Sequence, residues 1–314
     1  MNVPNKRVML DLGKGCLATL ALFLAYISLP LAGFIPGLFA PLPTMYYTLK
    51  SGKGVGIAIV LTTSAALVII ANPTITLLYL LQGGVLSVAL PHFLLKGWGG
   101  TRSIVSSVAI CFACLLLIVV LAWQFKGLDV NEKVLTGINS SISQSIALYE
   151  KSGLKGEDLL ALQQGMKQVG GIIGRIYPAL TLLALGVIAG LNLQILRKLA
   201  GKLNSPLAVA GLNTFRNPDH LIWFVIIPGF TLLVGNADLT TAALNVLVVT
   251  LSLYFMQGLA VVVNMFERFS IPGFVRVTFY ILLTLQPYLA AALSALGMFD
   301  LWGNFRVPRQ HKNL

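Results

Sequence analysis

Charged residues are scarce in this sequence. Of its 314 residues, 22 are Lys or Arg and 10 are Asp or Glu, so 10% are charged while 57% are hydrophobic. A soluble domain carries about 25% charged residues, and a soluble protein of this length could not bury so much apolar surface in one core. The scarcity of charge therefore excludes a soluble globular protein and indicates that lipid surrounds most of the chain.

Cysteine and histidine are also rare, with three residues of each. Cys16, Cys111 and Cys114 all lie in apolar runs, where a cysteine packs as a small apolar side chain. The histidines lie near predicted membrane edges or in the C-terminal tail, and the sequence has no H-E-x-x-H motif and no phosphate-binding glycine loop. We therefore expect no cofactor, no metal site, no disulfide framework and no enzymatic activity.

The net charge is +12, and the basic residues cluster in short segments between apolar runs. On a soluble protein such a charge would favour nucleic-acid binding. Between membrane spans it is instead a topology signal and a contact for anionic lipid headgroups. The partners that we expect are the lipid bilayer, a small-molecule solute and a membrane protein, and no nucleic acid.

Apolar runs predict an all-α fold, namely a polytopic transmembrane helix bundle of eight to nine helices. One helix, near residues 34–49, is predicted to be short or broken because it contains three prolines. The predicted spans are Gly15–Ala32, Phe34–Leu49, Val55–Ala71, Thr74–Leu95, Ser103–Phe125, Gly171–Leu196, Leu221–Val234, Leu239–Phe266 and Pro272–Met298.

The distribution of charge orients these spans. A basic stretch with Lys6, Arg7 and Lys14 precedes the first span, which places the N-terminus in the cytoplasm. If residues 34–49 cross the membrane, the later basic segments also face inside, and residues 126–170, with five Lys and five acidic residues, face outside. If they do not cross, every later side inverts, so the positive-inside rule favours a crossing.

The C-terminal tail conflicts with this orientation. Nine crossings would place its basic residues, among them Arg309 and Lys312, on the outside. Two alternatives follow: one segment is re-entrant, or the last apolar run turns back at Gln286 and Pro287.

The hydrophilic segment divides the chain into three predicted parts. Residues 1–126 form an N-terminal membrane bundle of about five helices, residues 127–170 an extramembrane amphipathic helical segment, and residues 171–314 a C-terminal membrane bundle of about four helices with a basic tail. In the middle part, apolar residues fall on one helical face before and after Gly153, which predicts a helical hairpin that either caps the bundle or rests on lipid headgroups. These residues are Ile138, Ile142, Ile146, Tyr149, Leu159, Leu162, Met166 and Val169.

Two sets of residues are candidates for a site. Irregular backbone at membrane depth is tolerated where it is buried or lines a cavity, and amide side chains inside spans are costly unless they bond. The first set is therefore predicted to mark a pocket wall or a helix break. The alternative for its prolines is a proline-capped short helix that turns the chain, and the alternative for its amides is that they hold the bundle together. It comprises Pro36, Pro41, Pro43, Tyr46, Asn72 and Gln82.

The second set consists of charged residues at the ends of predicted spans. They are candidates for a cytoplasmic charge network, and the alternative is simple anchoring at the membrane interface. The set comprises Asp219, Glu267, Arg268, Arg276, Asp300 and Arg306.

Four pieces of the sequence together resemble a known family. They are Pro41-Leu-Pro43, the segment from Phe215 to Trp223, the segment from Tyr254 to Gly258, and the ending from Leu296 to Arg306. In this order they resemble the YybS-like family of bacterial integral membrane proteins, classed as a domain of unknown function. The resemblance implies a multi-pass protein of the bacterial plasma (inner) membrane and supplies no catalytic residues.

The same resemblance implies a distant similarity to the substrate-binding S components of energy-coupling-factor vitamin transporters, mainly in the N-terminal helices. Those proteins use small alanines on the first helix to dock on a transport partner, and Ala21 and Ala25 match that spacing. We expect a non-enzymatic membrane protein that binds or moves a small solute in a pocket of the N-terminal helices. The alternative is a scaffold for envelope or division machinery. A closed polar cavity lined by Asn72 or Gln82 would favour the first, and amides bonded to each other the second.

Overall fold

The computed structural model describes residues 6–29, 32–202 and 215–306. Every regular element in these ranges is a helix, which confirms the predicted all-α fold. The basic tail with Arg309 and Lys312 lies outside the described residues. The helices are α1 (Lys6–Ser28), α2 (Phe34–Phe39), α3 (Leu42–Ser51), α4 (Lys53–Ile70), α5 (Pro73–Tyr79), α6 (Val85–Leu95), α7 (Gly100–Lys126), α8 (Val130–Lys151), α9 (Gly156–Lys198), α10 (Trp223–Thr231), α11 (Ala237–Arg268), α12 (Gly273–Leu285) and α13 (Pro287–Gly303).

Shorter turns of helix connect some of these elements. A π-helical turn, Leu80–Gly84, joins α5 to α6, and 3₁₀ turns flank α10. Among the described residues, six helical segments are long and apolar enough to cross a membrane, and α12 with α13 form a seventh if they count as one bent span. The bend between α12 and α13 is 108° and lies at Gln286 and Pro287. This is the position at which one of the two alternatives from the sequence has the last apolar run turn back.

The proline-rich stretch forms the predicted broken helix. Pro41 has no backbone N–H to continue the hydrogen bonds of α2, so α2 ends at Phe39 and α3 begins at Leu42. The two pieces together run antiparallel to α1, as the paired positions show: Tyr26 packs on Gly37, Thr19 contacts Thr44, and Asp11 binds Lys50. This antiparallel pairing extends along α1 from Tyr26 to Asp11, over about 22 Å of helix axis.

The hydrophilic middle segment forms a helical hairpin. Asp129 caps the start of α8 by accepting hydrogen bonds from the backbone N–H groups of Asn131 and Glu132. Gly170 of α9 packs against Ile138 and Ile142 of α8. Helix α9 then continues without a break for 43 residues, which is about 65 Å and twice the thickness of the hydrocarbon core. Its polar first part must therefore extend beyond the membrane.

The described residues fall into two compact units. The first lies within Met1–Leu128 and Ala184–Ala210, and the second within Asp129–Leu183 and Gly211–Leu314. Helix α9 contributes its last part to the first unit and its first part to the second. In the second unit, Gly258 of α11 and Gly297 of α13 let the two backbones touch, because a Cβ on Gly258 would meet the carbonyl of Leu293.

Candidate functional site

A cavity of about 820 Å³ opens at the polar ends of α1 and α3. Its volume is within the range of about 300 to 1,000 Å³ that is typical of small-molecule sites. Apolar side chains such as Val8, Leu49 and Leu95 form part of its wall. We call it the basic cleft after its polar lining, which comprises Arg7, Asp11, Lys14, Thr48, Lys50 and Ser51.

Asp11 is the acidic residue of this lining, and both of its carboxylate oxygens are occupied. Lys50 Nζ donates to Oδ1 at 2.8 Å and Ser51 Oγ donates to Oδ2 at 2.7 Å. The hydrogen bond that Lys50 donates to Asp11 raises the pKa of the Lys50 ammonium above its usual range, so Lys50 stays protonated at neutral pH. The Asp11 charge is therefore neutralised within the cleft.

Arg7 and Lys14 are left with their positive charge facing the cleft. Within the part of the chain that the structure describes, neither side chain forms an ion pair or a side-chain hydrogen bond. Three cations and one already paired carboxylate give the lining a net positive charge. The arrangement is therefore suited to an anionic group.

The turn between α3 and α4 shapes the rim of the basic cleft. Gly52 has φ 100° and ψ 165°, a conformation that a residue with a side chain rarely adopts. This turn lets α4 begin at Lys53, directly after the residues that hold Asp11. Lys50 also lies over the ring of Tyr47, 5.5 Å from its centroid, which fixes the direction of its side chain.

None of the predicted pocket residues is part of the lining of this cleft. Asn72 caps α5, where its Oδ1 accepts a hydrogen bond from Ile75 N at 2.9 Å. Gln82 lies in the π-helical turn, and the ring of Tyr46 contacts that of Tyr47. Pro36, Pro41 and Pro43 lie in or between α2 and α3, the broken helix whose far end lines the cleft.

The broken helix finds a hydrogen-bond partner in α9. The side chain of Asn192, which is fully buried, donates from Nδ2 to the carbonyl of Leu38 at 2.8 Å and to that of Ile188 at 2.7 Å. Leu38 lies in the last turn of α2, where the break leaves carbonyls without their helical partners. The amide in an apolar helix is visible in the sequence, but its partner 154 residues earlier is not.

A second polar cluster lies in the second unit, where α11 and α13 cross. Asp300 is 3% exposed and binds Arg306 at 3.1 Å. Gln257 donates from Nε2 to Asp300 at 3.0 Å and accepts from the backbone N–H of Asn217 at 3.0 Å. We call these four residues the Asp300 network. It joins three of the four sequence pieces on which the family resemblance depends.

The other predicted members of the charge set have separate contacts. Arg276 donates to the carbonyl of Phe266 in the last turn of α11 at 3.1 Å and to that of Ile271, which follows this helix, at 2.9 Å. Asp219 lies 3.6 Å from Arg216, and Arg268 lies over the ring of Phe269. Glu267 lies in the last turn of α11.

Metal ligands do not cluster in the described ranges, where no three His, Cys, Asp or Glu side chains could hold one ion. The residues of the basic cleft are not identified as a site in the sequence analysis. There, Arg7 and Lys14 are interpreted only as topology signals, and Asp11 is not assigned a role. A lone acid inside a basic N-terminal stretch is the signal that could have drawn attention to the cleft.

Comparison with known proteins agrees with the architecture. No solved structure matches the chain. The "Uncharacterized protein YybS" of Bacillus subtilis (strain 168) is 24% identical over 295 residues, which cover 92% of this chain and 93% of that protein. Residues 17–301 match the family described as "Predicted membrane protein (DUF2232)". The chain, a multi-helix membrane protein, therefore belongs to the DUF2232 family of predicted membrane proteins.

Proposed function

We propose that the protein is a non-enzymatic, multi-pass protein of the bacterial inner membrane that binds a small anionic solute in the basic cleft. The observation that carries this proposal is the pair of cations, Arg7 and Lys14, that face a cavity of about 820 Å³ without an ion pair to any described residue. A carboxylate or a phosphate would supply the missing negative charge.

The chemistry of the lining supports recognition of an anion. The guanidinium of Arg7 can donate two parallel hydrogen bonds to one carboxylate or phosphate group, and the ammonium of Lys14 adds a point charge. Asp11 does not repel such a ligand strongly, because Lys50 and Ser51 already bind both of its oxygens. A cleft lined by one sign of charge also raises the local concentration of ligands of the opposite sign.

The proposed orientation places the basic cleft on the cytoplasmic side. The antiparallel pairing of α1 with α2 and α3 supports it, because this pairing brings Lys14, Lys50 and Lys53 to the same end of the helices. Cytoplasmic ends of spans carry an excess of basic residues. The solute would therefore enter the cleft from the cytoplasm.

Native mass spectrometry of the full chain, purified in a non-ionic detergent, tests this function. We expect the wild-type protein to retain an anionic small molecule, and the double variant Arg7→Gln/Lys14→Gln to lose it. Lys6→Gln is the matched control, because Lys6 is one residue from Arg7 but does not line the cleft. The control should retain the molecule.

The identity of the retained species separates the alternatives. A water-soluble anion supports a solute-binding protein, and an anionic lipid shows that the same chemistry serves a headgroup instead. Equal retention by the double variant and the wild type would refute the role of the cleft. A co-purifying protein together with an empty cleft would favour the scaffold function.

A further inference from the structure

A second cavity, of about 440 Å³, lies in the second unit among α8, α9 and α11. Gly171 leaves the surface of α9 open at this place, whereas Leu135 of α8 packs on Gly174. We call it the hairpin cavity, because α8 and α9 form the helical hairpin. The polar residues in its lining are Asn131, Arg175, Asp238 and Thr241.

Two of these residues carry opposite charges that do not meet. Arg175 and Asp238 both line the hairpin cavity, yet neither side chain forms an ion pair or a side-chain hydrogen bond with a described residue. Asp238 lies in the first turn of α11. The cavity therefore presents one guanidinium and one carboxylate to the same space.

The two walls that carry these charges are tied together by Asn245 of α11. Its Nδ2 donates to the carbonyl of Arg175 at 2.7 Å and to that of Thr241 at 2.8 Å, and both residues line the cavity. Its Oδ1 accepts from the backbone N–H of Ala179 at 2.9 Å. The backbone of Arg175 is thus fixed against the helix that carries Asp238.

We propose that the hairpin cavity binds a small zwitterion that carries an ammonium group and an oxyanion, the chemical class of the free amino acids. The guanidinium of Arg175 would bind the oxyanion, and the carboxylate of Asp238 would bind the ammonium. The amide of Asn131 and the hydroxyl oxygen of Thr241 are further polar groups for the same ligand. A cavity of this size accommodates an amino acid.

Two sources can supply this chemistry, a free amino acid and the headgroup of phosphatidylethanolamine. Equilibrium dialysis of the full chain in dodecyl maltoside distinguishes them. One arm uses a mixture of the common L-amino acids, and the other uses sn-glycero-3-phosphoethanolamine. Propionate and propylamine, which each carry one of the two charges, serve as reference probes.

We expect at least one zwitterion to bind, and to bind at least about tenfold more tightly than either singly charged probe, because each charge contributes a charge-assisted hydrogen bond. Arg175→Gln and Asp238→Asn should each weaken that binding at least about tenfold. Gly171→Leu should abolish it without a change of charge, because space is open beyond Gly171 and the longer side chain would fill the cavity. Glu157→Gln and Lys167→Gln, on α9 outside the cavity, are the matched controls.

Thermal unfolding in the same detergent shows whether each variant is folded. Binding of an L-amino acid supports the free source, and binding of the phosphoethanolamine probe alone supports the headgroup. The proposal is overturned if neither zwitterion binds, if a singly charged probe binds as tightly as a zwitterion, or if folded Arg175→Gln retains wild-type affinity.

Discussion

Replacement of Asn245 by Ala should destabilise the second unit. The side chain of Asn245 makes three hydrogen bonds, two of which reach from α11 to the backbone of α9 on either side of Pro178. The two groups of α9, Ala179 N–H and the carbonyl of Arg175, are four residues apart and would be partners of each other in a regular helix. Pro178 disturbs this turn, because its ring clashes with the carbonyl four residues earlier.

The size of the effect follows from these contacts. An interhelical hydrogen bond in a membrane protein contributes on average about 0.6 kcal/mol, with a maximum of about 1.7 kcal/mol. Ala179 is 3% exposed, and a buried N–H that loses its partner costs about 1 to 3 kcal/mol. We therefore expect Asn245→Ala to lower the free energy of unfolding by about 2 to 4 kcal/mol.

Equilibrium unfolding in mixed micelles with increasing sodium dodecyl sulfate, followed by circular dichroism, measures this loss. Ser252→Ala is the control on the same helix, because Ser252 donates only to the carbonyl of Val248 within α11. Such a bond contributes little to helix stability. If Asn245→Ala and Ser252→Ala had the same small effect, the bonds to α9 would not stabilise the unit.

A double-mutant cycle with Pro178→Ala sharpens the experiment. Alanine restores the missing N–H and removes the ring, so α9 can form its own hydrogen bonds across this turn. In that background the loss caused by Asn245→Ala should shrink by about 1 kcal/mol. Strict additivity of the two substitutions would refute the idea that Asn245 compensates for Pro178.

Two further predictions concern packing and topology. Gly258→Ala should lower the free energy of unfolding by about 1 to 3 kcal/mol in the same denaturation assay, because the added Cβ would meet the carbonyl of Leu293. Gly190→Ala is the control and should be neutral or stabilising, because the space around Gly190 is open. Equal effects of the two substitutions would contradict the close crossing of α11 and α13. In a variant without the three native cysteines, a membrane-impermeant maleimide should label Gly137→Cys in intact spheroplasts but Lys53→Cys only after permeabilisation. The opposite pattern would invert the proposed orientation.

The fold class could be predicted from the sequence because lipid imposes simple rules. Apolar runs near 20 residues have to become helices, and a proline such as Pro41 interrupts the hydrogen bonds at a known place. The bend between α12 and α13 at Gln286 and Pro287 follows from the same rule. These features depend on neighbours in sequence and not on distant contacts.

The candidate site depends on distant contacts and could not be predicted in this way. Asp11 and Lys50 bind each other only because the broken helix packs antiparallel to α1. Neither segment of the sequence, taken alone, predicts this packing. Amides inside apolar helices, such as Asn192 and Asn245, can be recognised as costly and therefore bonded. Their partners are backbone carbonyls and, for Asn245, also a backbone N–H, groups that almost every residue offers, so sequence pattern cannot identify them.

The hydrogen bond between Asn192 and the carbonyl of Leu38 also has a consequence for biosynthesis. The two residues are 154 positions apart, so the broken helix is synthesised long before its partner is translated. At about 5 to 20 residues per second, the interval is about 8 to 30 s. During this time the chain needs a substitute for Asn192, either water or a component of the insertion machinery, and the first unit can complete its packing only when the ribosome has passed α9.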